Sequence, residues 1–102
     1  MKKSVICSSG IKVEVLEKII QLAKKHNIEK VLLFGSRARG DYKKTSDIDL
    51  AFLGGNASAF ALDVEEETAT LLKFDIVDLS KKVQQELLDS IEKEGVVLYE
   101  KI

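Results

Sequence analysis

The sequence predicts an α/β or α+β fold in which helices pack on one small mixed β-sheet. Apolar residues at helical spacing alternate along the chain with short apolar runs of the strand type, a pattern typical of helices layered on a sheet. The 102 residues contain no proline, no Gly/Ser-rich linker and no repeat. This length supplies one hydrophobic core but not two, so we expect residues 1–102 to form a single domain.

The first helix is predicted over residues 11–26, with Asn27 as its end, because four apolar residues recur at helical spacing. These residues are Leu16, Ile19, Ile20 and Ala23. The apolar run at residues 31–34 predicts a buried strand that stops at Gly35. Residues 36–42 then form a loop or a short helical turn.

A second strand is predicted over residues 47–55 because apolar and polar side chains alternate there. One face carries Ile48, Leu50 and Phe52, and the other carries Asp47, Asp49, Ala51 and Leu53. Successive side chains on a strand point to opposite faces, so both carboxylates lie on the same side of the sheet.

The rest of the chain predicts two helices, each followed by a strand. Ser58 caps the first of these helices, which is marked by Phe60, Val64, Leu71 and Leu72. Residues 74–79 form the next strand, with Asp75, Val77 and Leu79 on one face. Ser80 caps the last helix, which is marked by Val83, Leu87 and Ile91 and ends at Gly95. Residues 96–99 close the chain as a fourth strand.

The charges of the chain nearly balance, with 16 Lys and Arg against 17 Asp and Glu and a formal net charge of -1. A chain of this kind supplies no long-range field, so we expect no direct binding to nucleic acid. No segment reaches the ~20 apolar residues of a membrane span, and residues 1–14 lack the apolar run of a signal peptide. We therefore expect a cytoplasmic protein that binds no membrane.

Asp47 and Asp49 repel one another on their shared strand face, and a cation between them would relieve that repulsion. Mg²⁺ meets this need, because it is commonly held by one or two carboxylates and by substrate phosphates. If the next strand runs parallel, Asp75 lies beside Asp49, and three carboxylates make a two-metal site plausible. The alternative for each aspartate, Asp75 included, is a turn or edge position, and Thr45 and Ser46 favour a turn or capping role for Asp47. Asp49, inside the apolar alternation, has no turn role.

The loop GSRARGD at residues 35–41 has the composition of a phosphate-binding segment. Glycine lets a backbone approach a phosphate closely, a serine hydroxyl donates to its oxygens, and arginine forks onto two of them. Four basic side chains lie within eight residues of the chain, namely Arg37, Arg39, Lys43 and Lys44. The alternative is an ordinary solvated loop, and neither the P-loop nor the GxGxxG pattern is present.

The run LLFGSRARGDYKKTSDIDLAF contains Gly35 and Ser36, then ten residues, then Asp47-Ile48-Asp49. This GS-x10-DxD pattern resembles the signature of the DNA polymerase β-type nucleotidyltransferase superfamily. The fuller run resembles its minimal nucleotidyltransferase branch, the MntA-type antitoxins paired with HEPN toxins. The resemblance covers nearly the whole chain and implies the polymerase β-type nucleotidyltransferase fold.

The resemblance also implies two groups of site residues. The catalytic and metal-ligating carboxylates are Asp47, Asp49 and Asp75, which would hold two Mg²⁺ ions. The nucleotide-binding residues are Gly35, Ser36 and Arg39. The resemblance leaves open whether Arg37, Lys43 and Lys44 face phosphate, a partner or solvent.

The implied activity is the transfer of AMP from ATP to a tyrosine hydroxyl of a cognate HEPN toxin. By this transfer the chain would act as an antitoxin and neutralise the toxin. A chain this short has no further domain to hold an acceptor, so a partner would supply it in a hetero-oligomer. Two alternatives stay open. The chain could silence its partner by stoichiometric binding without catalysis, or it could transfer a nucleotide to a small molecule.

Three other residues carry weaker predictions. His26 lies near a helix end, where it complements the helix dipole. Tyr42 packs in its loop or stacks on a base. Cys7 is the single cysteine, so it forms no internal disulfide, and no histidine pattern marks it as a nucleophile.

Overall fold

The computed structural model describes residues 10–68 and 70–101, which contain four helices and four strands. In chain order these are α1 (Val13–Lys25), β1 (Lys30–Phe34), α2 (Ser36–Arg39), β2 (Ile48–Leu53), α3 (Ala57–Glu67), β3 (Phe74–Asp78), α4 (Gln85–Glu94) and β4 (Val96–Glu100). Cys7 lies outside the described residues. Within the two described stretches, none of the helices has the length and apolar character needed to cross a membrane.

The strands form one mixed sheet with the order β3-β2-β1-β4. β1 is antiparallel to both β2 and β4, whereas β2 and β3 are parallel. A parallel pair needs a crossover connection, and α3 supplies it. The predicted architecture of helices on a small mixed sheet is confirmed. One end of this sheet, which we call the sheet edge, is formed by the amino ends of β2 and β3 and the carboxyl end of β1.

Helices cover both faces of the sheet. α1 and α3 pack on the larger core, in which the Phe52 and Phe60 rings meet edge to face with centroids 5.1 Å apart. α4 covers the other face through a smaller cluster formed by Phe34, Ala51 and Ile91. Because side chains alternate along β2, Asp49 lies on the α4 side of the sheet together with Ala51.

α3 begins earlier than the sequence predicts. Asn56 is the residue that caps it, and its side-chain oxygen accepts a hydrogen bond from the backbone N–H of Ala59 at 3.3 Å. The prediction that Ser58 caps this helix was therefore wrong. Both residue types are good caps, and the one that precedes the first turn satisfies the orphan N–H group.

α3 also ends earlier than predicted, at Glu67. Thr68 leaves the helix with an extended backbone, and its buried hydroxyl donates to the carbonyl of Val64 at 2.6 Å. That bond occupies a carbonyl of the last turn, so the chain turns toward β3. Leu71 is fully exposed and Leu72 is half-buried, so neither belongs to the helical stripe as predicted.

α4 begins at Gln85 and not at Ser80, so the predicted cap was wrong here too. The Asp78 carboxylate accepts hydrogen bonds from the Ser80 backbone N–H at 3.0 Å and from its hydroxyl at 2.6 Å. Because the Ser80 side chain is bound to Asp78 in this turn, it does not cap the helix. The predicted end at Gly95 is confirmed, and its N–H donates to Ile91 at 2.7 Å.

The end of α1 is tied to α3 by a hydrogen bond that makes stability depend on pH. His26 Nε2 donates to Asp63 Oδ2 at 2.7 Å, and this bond, with the nearby Lys25 charge, holds the pKa of Asp63 below its ordinary value. A carboxyl with a depressed pKa stabilises the fold above its unfolded pKa of about 4, and that stability is lost as pH falls through the folded value. We therefore expect Asp63→Asn to unfold at lower urea than wild type at pH 7.

The same variant should lose less stability than wild type when the pH falls from about 5 to about 3. Urea titrations followed by circular dichroism at each pH measure this difference. Glu66→Gln, an exposed change on the same helix, should follow wild type. Equal pH dependence of wild type and Asp63→Asn would contradict the assignment.

Candidate active site

Gly35 turns the chain from β1 into the short helix α2. Its φ of 77° lies in the region that favours glycine, and its carbonyl accepts hydrogen bonds from the backbone N–H groups of Ala38 and Arg39, each at 3.1 Å. Gly40 ends the helix with a φ of 93° and donates its N–H to the Ser36 carbonyl at 2.8 Å. Two glycines therefore bracket a single helical turn, within the segment predicted as a loop or short turn.

Gly35 also lies against the carboxylate of Asp49. The β1–β2 register pairs Phe34 with Asp49, so the residue after Phe34 passes over that side chain. A Cβ atom built on Gly35 would overlap the Asp49 carboxylate. Only glycine gives this backbone both its positive φ and its approach to the carboxylate.

Three carboxylates cluster around this turn. Asp49 pairs with Asp75 in the parallel β2–β3 register, which is the neighbourhood predicted for parallel strands. Asp47 lies immediately before β2. Asp47 and Asp75 are exposed, whereas Asp49 is half-buried.

Burial raises the pKa of Asp49 above its usual value, and the charges of Asp75 and then Asp47 raise it further. The nearby Arg39 charge acts in the opposite direction. Within residues 10–68 and 70–101, no lysine or arginine forms an ion pair with any of the three carboxylates. The cluster therefore carries negative charge that Arg39 offsets only in part.

The three carboxylates fit a divalent cation by donor type and by charge. Mg²⁺ prefers oxygen ligands, and a cation among the three would offset the repulsion that raises the pKa of Asp49. In the described part of the chain, no three carboxylate, thiol or imidazole groups converge closely enough to enclose one ion.

Arg39, predicted to contact a phosphate, is held between two acidic side chains. Its Nε donates to Asp41 Oδ2 at 3.2 Å and its Nη1 to Glu94 Oε2 at 2.5 Å. These two hydrogen bonds, the one to Glu94 first, raise the pKa of the Arg39 guanidinium. Sequence reasoning missed Glu94, because 55 positions separate it from Arg39.

Arg37, whose role the sequence leaves open, is buried with only 3% of its surface exposed. Its guanidinium donates to the backbone carbonyls of Ser46 at 3.1 Å, Lys44 at 3.3 Å and Lys43 at 3.5 Å. It also lies 4.8 Å from the centre of the Tyr42 ring. Arg37 thus ties together the loop that leads to the carboxylates, and the Tyr42 ring packs against it.

The two arginines differ because they lie two residues apart on a helical turn. Two positions on an α-helix are separated by about 200° of rotation, so the side chains leave α2 on opposite sides. One side chain enters the protein and the other reaches the surface, where Arg39 is 46% exposed. This rotation is the sequence signal that could have separated their roles. Lys43 and Lys44 are exposed.

Replacing Gly35 by alanine should damage both the fold and the site. The positive φ alone costs roughly 1–3 kcal/mol for a residue with a side chain, and the new methyl group would also displace the Asp49 carboxylate. Gly40→Ala is the matched control, since its φ is also positive but no atom lies within 4 Å of its added Cβ. We expect both variants to lose stability in urea titrations.

Only Gly35→Ala should move the carboxylate, so it should lose more stability than Gly40→Ala. Equal losses in the two variants would show that backbone strain alone accounts for the effect. A smaller loss in Gly35→Ala than in Gly40→Ala would contradict the close approach to Asp49.

The sequence is similar to two proteins of Methanocaldococcus jannaschii, each named as a candidate protein adenylyltransferase. One is 36% identical over 81 residues, which cover 71% of this chain and 79% of the relative. The other is 29% identical over 91 residues, covering 82% of this chain and 92% of the relative.

Two solved structures have a similar fold. A crystal structure of a toxin–antitoxin with AMP-PNP has a TM-score of 0.67 and 25% identity, covering 84% of this chain and 73% of that chain. A candidate nucleotidyltransferase from Sulfolobus solfataricus has a TM-score of 0.51 and 25% identity, covering 99% of this chain and 91% of that chain. The family described as "Polymerase beta, Nucleotidyltransferase" matches residues 17–102, a span that includes the glycine turn and all three carboxylates. This chain belongs to the polymerase beta nucleotidyltransferase family.

Proposed function

We propose that this protein is a Mg²⁺-dependent protein adenylyltransferase that transfers AMP from ATP to a tyrosine hydroxyl of a partner HEPN toxin and so neutralises it. The observation that carries this proposal is the placement of Asp47, Asp49 and Asp75 around the Gly35 turn at one edge of the sheet. The family of the chain supports nucleotidyl transfer as the reaction. We assign the reaction to one domain that spans the chain and place it in the cytoplasm.

Asp47, Asp49 and Asp75 would hold two Mg²⁺ ions. Bound there, the ions would neutralise phosphate charge and lower the pKa of the acceptor hydroxyl. Asp49 approaches the site with a fixed geometry, because it is half-buried and pressed against Gly35. Asp47 and Asp75 are exposed on either side of it and can adjust to the substrate.

Gly35, Ser36 and Arg39 would bind the triphosphate. The absence of a side chain at Gly35 lets its backbone lie against the Asp49 carboxylate, and the hydroxyl of the next residue, Ser36, can donate to phosphate oxygens bound there. Arg39 lies close enough to Asp49 to affect its pKa, so its guanidinium reaches the same region. A planar guanidinium fits two phosphate oxygens at once.

In the transfer step, the acceptor hydroxyl oxygen attacks the α-phosphorus of ATP and forms the new phosphoester bond. The bond from the α-phosphorus to the bridging oxygen of the β-phosphate breaks, and pyrophosphate leaves. The hydroxyl proton passes to Asp75, which lies exposed on the edge strand β3 where an acceptor can approach. Positioning and charge stabilisation supply most of the rate enhancement.

The acceptor is assigned to a partner protein on two grounds. The M. jannaschii relatives are named as candidate protein adenylyltransferases, and one similar crystal structure is that of a toxin–antitoxin with AMP-PNP. Together they favour a protein acceptor within a toxin–antitoxin pair, which would be a hetero-oligomer. A HEPN toxin with an acceptor tyrosine is the partner we propose on the resemblance of the sequence.

The proposal is tested by incubating the chain with a cognate HEPN toxin, ATP and Mg²⁺ and measuring the mass of the intact toxin. We expect the toxin to gain the mass of one or more AMP units and to lose its ribonuclease activity. The double variant Asp47→Asn/Asp49→Asn should produce neither change, whereas Glu66→Gln, an exposed change on α3, should act as wild type.

Two results would contradict protein adenylylation. Inhibition by the double variant without added mass would indicate an antitoxin that acts by stoichiometric binding. Consumption of a small acceptor, with no label on the toxin, would indicate nucleotidyl transfer to a small molecule.

A further inference from the structure

The ion pair between Arg39 and Glu94 joins two elements that are far apart in sequence. Arg39 is the last residue of α2, beside the glycine turn, and Glu94 is the last residue of α4. The two side chains line one groove of about 650 Å³ between these helices, together with Ala38, Asp89, Ser90 and Lys93. The contact therefore links the proposed phosphate-binding turn to α4, which packs on one face of the sheet.

The position of Glu94 is well defined, because hydrogen bonds of the helix and of the following strand hold the backbone around it. Gly95 donates its N–H to Ile91, and β4 begins at once, with Val96 paired to Leu33 of β1. Only 18% of the Glu94 side chain is exposed, whereas 64% of the Asp41 side chain is exposed. An ion pair that is less exposed is less screened by solvent, so Glu94 is the stronger of the two anchors.

Two carboxylates hold the guanidinium of Arg39 while leaving part of it available. Asp41 takes the Nε–H group and Glu94 takes one Nη1–H group. Within residues 10–68 and 70–101, the remaining N–H groups of Arg39 make no further hydrogen bond. These groups belong to the same rigid plane, so fixing two edges of the plane also fixes the direction of the others.

We infer that Glu94 is a positioning residue for the nucleotide, which holds Arg39 so that its remaining N–H groups are oriented toward the triphosphate. The inference rests on the proposed function, because it takes Arg39 as a phosphate contact. Glu94 itself does not touch the substrate. It acts by ordering an arginine that is 46% exposed and would otherwise sample many rotamers.

If Glu94 instead hindered nucleotide binding, its removal would change the affinity for ATP in the opposite direction. If Glu94 competed with the triphosphate for Arg39, removal of its charge would tighten nucleotide binding. If Glu94 orders Arg39, removal weakens binding, because the side chain must then lose its rotamer freedom on binding. The affinity for ATP therefore separates the two roles.

The test measures the Kd of ATP by calorimetry in the presence of Mg²⁺ and the Michaelis constants of AMP transfer. We expect Glu94→Gln to raise Kd and KM roughly three- to tenfold, the cost of ordering one long side chain, with kcat at saturating ATP nearly unchanged. Glu94→Asp, which keeps the charge, should give values between those of Glu94→Gln and wild type. Glu92→Gln, an exposed change on the same helix, should leave both constants unchanged.

A double variant tests whether Glu94 acts through Arg39. Glu94→Gln should add no further loss in an Arg39→Ala background, and melting curves should show that each variant is folded. Unchanged or tighter ATP binding by Glu94→Gln, or an equal loss with and without Arg39, would overturn the inference while leaving the proposed function intact. Wild-type protein that neither binds ATP nor transfers AMP would overturn both.

Discussion

Asp49→Asn should remove AMP transfer and at the same time stabilise the folded protein at neutral pH in the absence of metal. The loss of transfer should be at least roughly 10²- to 10³-fold, as for other groups that stabilise charge in a transition state. The gain in stability follows from the raised pKa of Asp49, caused first by burial and then by the charges of Asp75 and Asp47. A neutral amide avoids both costs.

The sign of the pH dependence follows from the same shift. Because the folded pKa of Asp49 lies above the unfolded value, the folded protein binds more protons between the two, and its stability falls as pH rises through this range. Asp49→Asn should lack this loss. Asp63 has a lowered pKa, so Asp63→Asn should destabilise the protein at pH 7, although both variants replace an aspartate by asparagine.

Urea titrations with a chelator, and then with Mg²⁺, measure these effects. A ligand that binds only the folded state stabilises it, so Mg²⁺ should stabilise wild type and have little effect on Asp49→Asn. Asp63→Asn should respond to Mg²⁺ as wild type does and should keep its transfer activity. An Asp49→Asn protein that is less stable than wild type without metal, or that still transfers AMP, would contradict this account of the site.

Much of this site could be predicted from sequence because it depends on short-range rules. Alternation along β2 puts Asp47 and Asp49 on one side, and a single helical crossover makes β2 and β3 parallel. These two facts together place Asp49 next to Asp75 on adjacent strands. The glycine that follows β1 marks the turn for a similar reason, since few other residues tolerate its backbone conformation.

The errors came from side chains that compete for the same backbone groups. Asn56 and Ser58 are both good helix caps, and the hydrogen bond to Ala59 decides between them. Ser80 would also be a good cap, but the carboxylate of Asp78 engages its hydroxyl first. Such choices depend on which hydrogen-bond partner each side chain meets in the folded protein, and composition and periodicity do not specify it.

Long-range pairs were beyond sequence reasoning for a different reason. The sequence presents four basic residues around the glycine turn as one group, whereas the fold separates them by environment. Arg37 is buried against backbone carbonyls, and Arg39 is bound to Glu94, which the α4–β4 junction brings back to the turn. Only the sheet topology creates that second contact, because β4 pairs with β1.

Arg37→Ala should strongly destabilise the fold, although the residue is basic and lies between two predicted strands. It would leave three backbone carbonyls without their donor and would remove the partner of the Tyr42 ring. Unpaired groups in a buried position cost about 1–3 kcal/mol each at most, and water can reach part of this loop, so we expect a total loss of roughly 2–4 kcal/mol. Arg37→Lys should recover only part of this loss, because one ammonium group cannot span three carbonyls.

Arg39→Ala is the matched control, since it removes the same side chain two positions away. Its ion pairs lie at the surface, where solvent screens them, so this variant should stay folded but bind ATP weakly. Arg37→Ala should instead speed hydrogen exchange across residues 41–47 and reduce transfer through Asp47, which directly follows Ser46 in the released loop. Equal unfolding midpoints for the two variants would contradict a structural role for Arg37, whereas separate losses of stability and of nucleotide affinity would assign one role to each arginine.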